Sequence, residues 1–301
     1  DVVGVGAGAK VHQQLAHVVD ALFEPRVQLV QRGLHLLGLL LLGLVFYFIE
    51  RIMGARRRPG FFRPGMLTDT AYFFTIALFK QASRFLLIAP FIVLVLAGVT
   101  TGEELKAQQY RGFGPVAAQP VWLQAIEIYL LVDFIDYWLH RLFHTGAWWP
   151  FHAVHHSSEH LDWLSSVRVH PVNEAVNNLA PVVPLLVLGF DPTVTAGVTG
   201  FLTFYAIFLH ADVDWDFGPL RAVIATPVFH RWHHSKDPQA IDKNFAGLLP
   251  LWDIIFGTYY MPRDRMPCDF GVPEKVPTGY FGQLWHPFAG WFKRKGPPPS
   301  R

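Results

Sequence analysis

Long apolar runs alternate along this chain with short segments rich in aromatic and polar residues. Leu34 to Ile49 is almost uninterrupted, and with its flanks it reaches the ~20 residues a membrane helix needs. No small-residue cleavage site follows, so it reads as a membrane helix rather than a signal sequence. Thr68 to Thr100 is broken only by Lys80, Gln81 and Arg84, and is long enough for one crossing or two. Val121 to Leu139 is a further run. Ala175 to Phe190 and Val194 to Leu209 are separated by Asp191-Pro192, a turn signal, and read as a hairpin that enters the membrane and returns. Val11 to Gln31 has apolar residues at helical spacing and reads as amphipathic. Asn244 to Tyr260 is too punctuated by polar residues to span and reads as interfacial. The pattern predicts an all-α integral membrane protein with about four to five membrane helices and a polar helical cap. It divides the chain into an amphipathic segment at 1–33, membrane helices at 34–120, a histidine-bearing unit at 121–262 and a Pro/Gly-rich tail at 263–301, disordered from Lys293.

Composition supports a membrane setting. Charged residues make up 16% of the chain against about 25% in a soluble domain. A net charge of +2 and the lack of a basic stripe argue against nucleic acid as a partner. One cysteine, Cys268, excludes thiolate metal sites and an internal disulfide. Gly4, Gly6 and Gly8 follow no clear strand and do not read as a nucleotide site. Arg51, Arg56, Arg57, Arg58 and Arg63 mark the cytoplasmic side. A single crossing of 68–100 then puts Glu103 and Glu104 outside and brings His140 out beside the arginines. The hairpin returns His210 to that same side.

Candidate chemistry lies in the histidines. Eleven of fifteen fall between His140 and His234, less than a third of the length, so they are clustered rather than spread. Eight form three tight groups: His140 and His144; His152, His155 and His156; His230, His233 and His234. Residues four apart on a helix share a face, roughly 6 Å between Cβ atoms, so each group can aim imidazoles to one side. Neutral imidazole is the commonest metal-binding side chain and suits iron, zinc, copper and nickel. Eight ligands are too many for one ion that must also meet a substrate. They fit two ions with positions left open. His12, His17, His35 and His160 fall outside the pattern. Asp133 and Asp136 share the face of His140 inside an apolar run, where carboxylates are costly and point to function. Either could accept the distal N–H of a metal-bound histidine, or cap the helix and pair with Arg141.

In these motifs the chain resembles the fatty acid hydroxylase/sterol desaturase superfamily of membrane histidine-rich di-iron oxygenases, over roughly Val121 to Pro262. Its signature of H-x-x-x-H and two H-x-x-H-H groups occurs here in order. Arg168, His170, Pro171 and Glu174 match a following R-x-H-P-x-x-E, and His210 matches a histidine that ends the hairpin. Asn244 and the segment Trp252, Asp253, Phe256, Gly257, Thr258 match the end of the pattern. Asp212 departs from it, standing where asparagine is the more frequent residue. The resemblance implies two iron ions on the cytoplasmic face above a four-helix membrane base. It adds His170 and His210 to the ligands, and Glu174, Asn244 and Asp253 as residues behind them. It implies O2 as co-substrate and a lipid substrate that is hydroxylated or desaturated. Electrons would come from a separate donor, cytochrome b5-like or a ferredoxin with its reductase. Zinc can replace iron at such imidazole sites. A metal transporter would place its ligands at mid-membrane on broken helices, whereas these groups lie outside the apolar runs. A non-catalytic scaffold would not need the complete ligand set.

Overall fold

Eight helices begin at or within one residue of a proline, the residue whose fixed φ and missing N–H suit a first turn. In a computed structural model the described residues are 25–54, 62–86 and 112–293, with scattered positions between 92 and 104. The elements are α1 (Pro25–Met53), α2 (Met66–Leu86), α3 (Gly114–Ala117), α4 (Val121–Phe143), α5 (Trp149–His156), α6 (Pro171–Leu188), α7 (Pro192–His210), α8 (Pro227–His233), α9 (Leu251–Ile255) and α10 (Tyr280–Lys293). Single 3-10 turns lie at Trp163–Val167 and Gly218–Ala222. Among the described residues there is no strand, only isolated bridges at Gly54–Val213 and Ser235–Phe270. Gly4, Gly6, Gly8, His12, His17, Arg56, Arg57 and Arg58 lie outside the described residues. So do the tail beyond Lys293 and the part of 68–100 that would decide between one crossing and two.

The all-α expectation holds for the described residues, and the membrane expectation is met by a single helix. Among the described residues, α7 is long and apolar enough to cross a membrane by length and composition. α4 and α6 carry polar interruptions: Glu127, Asp133 and Asp136 in α4, and Asn173, Glu174, Asn177 and Asn178 in α6.

The chain divides into two compact units. The first comprises Asp1–Leu42, Gln81–Leu131 and Asn178–Phe201. Within it the Asp191 N–H donates to Gln124 Oε1 at 3.0 Å, which closes the turn between α6 and α7. Tyr129 meets Phe201 edge-on at 5.7 Å.

The second unit, Gly43–Lys80, Val132–Asn177 and Leu202–Arg301, contains every histidine of the three groups. Phe46 packs on Phe204 and Phe208, and Phe143, Phe229 and Trp232 are fully buried. A buried ionic chain crosses it. Arg63 pairs with Asp162 and with Asp69, and Asp69 pairs in turn with Arg168. Gly65, at φ +80°, lets the chain turn beneath the Arg168 guanidinium, where a Cβ would lie 2.6 Å from Nη2. One oxygen of Glu50, at the end of α1, accepts the Trp163 N–H at 2.8 Å and the Asp212 N–H at 2.9 Å. Glu50 thereby fixes the loop after α5 and the loop after α7.

Candidate metal centre

Four helices supply the rings. His140 and His144 end α4, with His144 just past its last turn, and all three histidines of the second group lie on α5. His210 is the last residue of α7. His230 and His233 are on α8, with His234 at its C-cap. The Thr226 hydroxyl caps the start of α8 by accepting the Phe229 N–H.

The rings gather into two groups. His140, His144, His152, His156 and His233 form one, and His155, His210, His230 and His234 form the other. Within each, the candidate ligand nitrogens all lie within 4.8 Å of one another. So nine of the ten candidate ligands are brought together and His170 is not. Its Nε2 meets the Leu284 carbonyl at 3.1 Å, and its Nδ1 accepts the Val172 N–H at 3.1 Å. With both nitrogens engaged, His170 ties the start of α6 to α10.

Outward hydrogen bonds fix which nitrogen points inward in six of the nine rings. A carbonyl oxygen can only accept, so a ring nitrogen facing one must carry the proton. His140 Nδ1 donates to Phe245 O at 2.7 Å, and His233 Nδ1 to Lys243 O at 2.7 Å. His155 Nδ1 donates to Arg168 O at 3.1 Å, and His210 Nδ1 to Ala206 O at 2.8 Å. His144 Nδ1 donates to the Asp242 carboxylate at 3.0 Å, and His152 Nδ1 to Asn173 Oδ1 at 2.8 Å. The Nε2 atoms of these six rings therefore point inward as lone pairs, and neighbouring Nε2 atoms within the two groups lie 3.0–3.2 Å apart. His140 Nε2 and His152 Nε2 are buried with no hydrogen-bond partner. Buried lone pairs that face each other repel unless a cation lies among them. Two nitrogens sharing an ion at about 2.1 Å lie ~3.0 Å apart at an octahedral edge and ~3.4 Å at a tetrahedral one. The spacing fits a metal.

Burial, followed by the neighbouring imidazoles, pushes the pKa values of His152, His155, His156, His230, His233 and His234 well below the ordinary histidine value. The rings are neutral at pH 7, the form that binds metals.

The residues behind the rings differ in part from expectation. Asp133 does not receive a histidine N–H. Its oxygens accept Leu248 N–H at 2.8 Å, Leu249 N–H at 3.0 Å and Trp252 Nε1–H at 2.9 Å, so it anchors the approach to α9. Asp136, part-buried one turn before His140, accepts no hydrogen bond from a described residue. Asn244, at φ +58°, donates to Phe229 O and Tyr260 O and accepts the Tyr260 N–H, clamping α8 to the chain after α9. Glu174 is buried in the first turn of α6. Asp253 acts through a peptide. It accepts Ala246 N–H at 2.8 Å, and the carbonyl of that same peptide unit, Phe245 O, accepts the proton of His140. Asp253 also accepts Phe245 N–H and the Thr258 hydroxyl. Asp212 forms a buried pair with Arg231 at 2.6 Å.

Sequence reasoning missed Asp242 and Asn173, the two side chains that bond ring nitrogens directly. Asn173 lies inside the Arg168-to-Glu174 motif, which was a usable signal. Asp242 is exposed and had none.

A fatty acid hydroxylase family model matches residues 125–258. An ornithine lipid hydroxylase of Rhizobium tropici is 33% identical over 179 residues, 58% of this chain and 53% of that protein. A human alkylglycerol monooxygenase is 32% identical over 206 residues, 63% of this chain and 45% of that protein. A very-long-chain aldehyde decarbonylase of Oryza sativa subsp. japonica is 30% identical over 148 residues, 45% of this chain and 22% of that protein. The chain thus spans about half, or less, of the length of these relatives. No solved structure matches.

Proposed function

From the match of residues 125–258 to the fatty acid hydroxylase family, we propose that the chain is a member of that family and a membrane-bound, O2-dependent lipid hydroxylase or desaturase. The observation that carries this is the pair of imidazole groups whose lone pairs turn inward in a buried, neutral setting. Two iron ions would supply the O2 activation needed to attack an unactivated C–H bond. The five-histidine group would hold one, and His155, His210, His230 and His234 the other.

The rest of the chemistry is positioning. Backbone carbonyls, Asp242 and Asn173 orient the rings before any ion arrives. Burial keeps bulk water and stray protons from the ligands. α4 and α7 are apolar over most of their length and end in His140 and His210, so an acyl chain lying along either is led toward the ligands. The relatives act, by their names, on ornithine lipid, alkylglycerol and long-chain aldehyde, which supports a lipid with a long alkyl chain as substrate. Hydroxylation takes up O2, two electrons and two protons, and gives the alcohol and water. The electrons come from a separate donor, cytochrome b5-like or a ferredoxin with its reductase. The catalytic unit is 121–262, four to five helices cross the membrane, and the ligands face the cytoplasm.

The test is to express the chain and its His155→Ala variant in the same cells and compare their lipids by mass spectrometry. The intact chain is expected to yield a lipid heavier by one oxygen atom or lighter by two hydrogens. The variant is expected to lose both that product and bound iron. Full turnover without His155 would end the reading.

A further inference from the structure

We infer that the two imidazole groups hold their ions unequally: the five-histidine group retains its ion and the four-histidine group exchanges its own. This rests on the metal reading above and goes beyond it to the order of loading and loss.

Tautomers carry the argument. In the five-histidine group, four of the rings are committed to a proton on Nδ1. The acceptors are the Phe245 and Lys243 carbonyls for His140 and His233, the Asp242 carboxylate for His144, and Asn173 Oδ1 for His152. Each of these rings can offer only a lone pair at Nε2. His156 Nδ1 alone meets no hydrogen-bond acceptor among the described residues, so it alone can turn an Nε2–H toward the others. It lies 3.2 Å from His144 Nε2 and 3.0 Å from His233 Nε2, and one proton can satisfy one of them. At least three lone pairs are left facing inward with no donor. The free group is strained by this repulsion. A cation relieves it, and four of the five ligands need no tautomer change to bind.

The four-histidine group is built differently. His155 and His210 are committed by the Arg168 and Ala206 carbonyls. His230 and His234 have a buried Nδ1 with no partner. Each is free to keep its proton on Nε2. His230 Nε2 lies 3.1 Å from His210 Nε2 and can donate to it. That leaves one committed lone pair, on His155, without a donor, against at least three in the other group. The free group therefore needs an ion less. Binding one moves both protons to Nδ1, where no protein group receives them. Both ends of the equilibrium disfavour the ion here relative to the other group. Partners behind metal-bound histidines change affinity by 10–100-fold.

Asp242 allows a clean test because its side chain is 62% exposed and its loss threatens the fold least. The full chain in detergent is loaded with zinc, freed of excess, and mixed with a coloured chelator. Two release phases of equal amplitude are expected, with rates at least ~10-fold apart. His234→Ala is expected to remove the fast phase and keep the slow one. Asp242→Ala is expected to speed the slow phase by ~10-fold and leave the fast one unchanged. Two ions lost in one phase, or a slow phase that disappears with His234→Ala, would overturn this inference alone. A chain that binds no zinc would overturn both it and the proposed function.

Discussion

Arg231 sits between two candidate ligands, His230 and His233, and is buried against Asp212. Its guanidinium also lies 5.0 Å from the Phe270 ring centroid. Removing one partner of a buried pair leaves an uncompensated charge, which costs about 3–5 kcal/mol. Arg231→Met is therefore expected to lower the unfolding midpoint sharply, and Asp212→Asn in the same chain to restore part of the loss. A single variant as stable as the parent would contradict this. Asp253 has a different role. Its carboxylate satisfies three buried donors, and one of them belongs to the peptide that holds His140. Asp253→Ala leaves those donors unpaired, at about 3 kcal/mol or more. Metal content is expected to fall with stability, as read by elemental analysis beside a thermal melt.

At the scale of elements, α5 and α8 are short helices that proline starts, each presenting three histidines in H-x-x-H-H order, with His234 capping α8. Their spacing was legible because three- and four-residue offsets turn side chains to one side of a helix whatever the surroundings. The break between α6 and α7 was equally legible, since Asp191-Pro192 interrupts two apolar runs. The outward anchors were not. Four of them are main-chain carbonyls of Phe245, Lys243, Arg168 and Ala206, and no side-chain pattern records where a carbonyl points. Asp133 misled for a related reason. Seven residues before His140 it shares that ring's face, yet the chain before α9 folds back and takes its oxygens first. The two helices also set an acid limit. Their rings have folded pKa values below the unfolded ~6.5, so the unfolded chain binds more protons as the pH falls through that value. Stability is expected to hold above about pH 6.5 and to drop progressively below it, and bound metal to leave in the same direction. Thermal melts and metal retention between about pH 7.5 and about pH 5 check this. A flat profile would count against buried neutral rings.

For the whole molecule, the exposed apolar surface is the main physical fact. Leu44, Phe48, Ile52, Phe74, Leu78, Phe281 and Trp285 are all exposed, far more than water favours. α7 supplies one helix able to cross a bilayer. The chain is expected to sediment with membranes and to resist extraction by alkaline carbonate. Release into the carbonate wash would show that it lies on the membrane rather than in it. A cysteine-free chain carrying single cysteines near Asp242 and near Asp191 would fix the sidedness. The first is expected to react with an impermeant reagent only from the cytoplasmic side.

The carbonyl anchors have one more consequence. An orientation held by the main chain is indifferent to what the residue carries on its Cα. Lys243 and Ala206 can therefore drift to other residues without disturbing His233 or His210, so long as the chain keeps its path. Asn173 and Asp242 have no such latitude. Lys243→Ala should keep its full metal complement while Asn173→Leu does not, so a scan for intolerant positions would pass over main-chain supports of this centre.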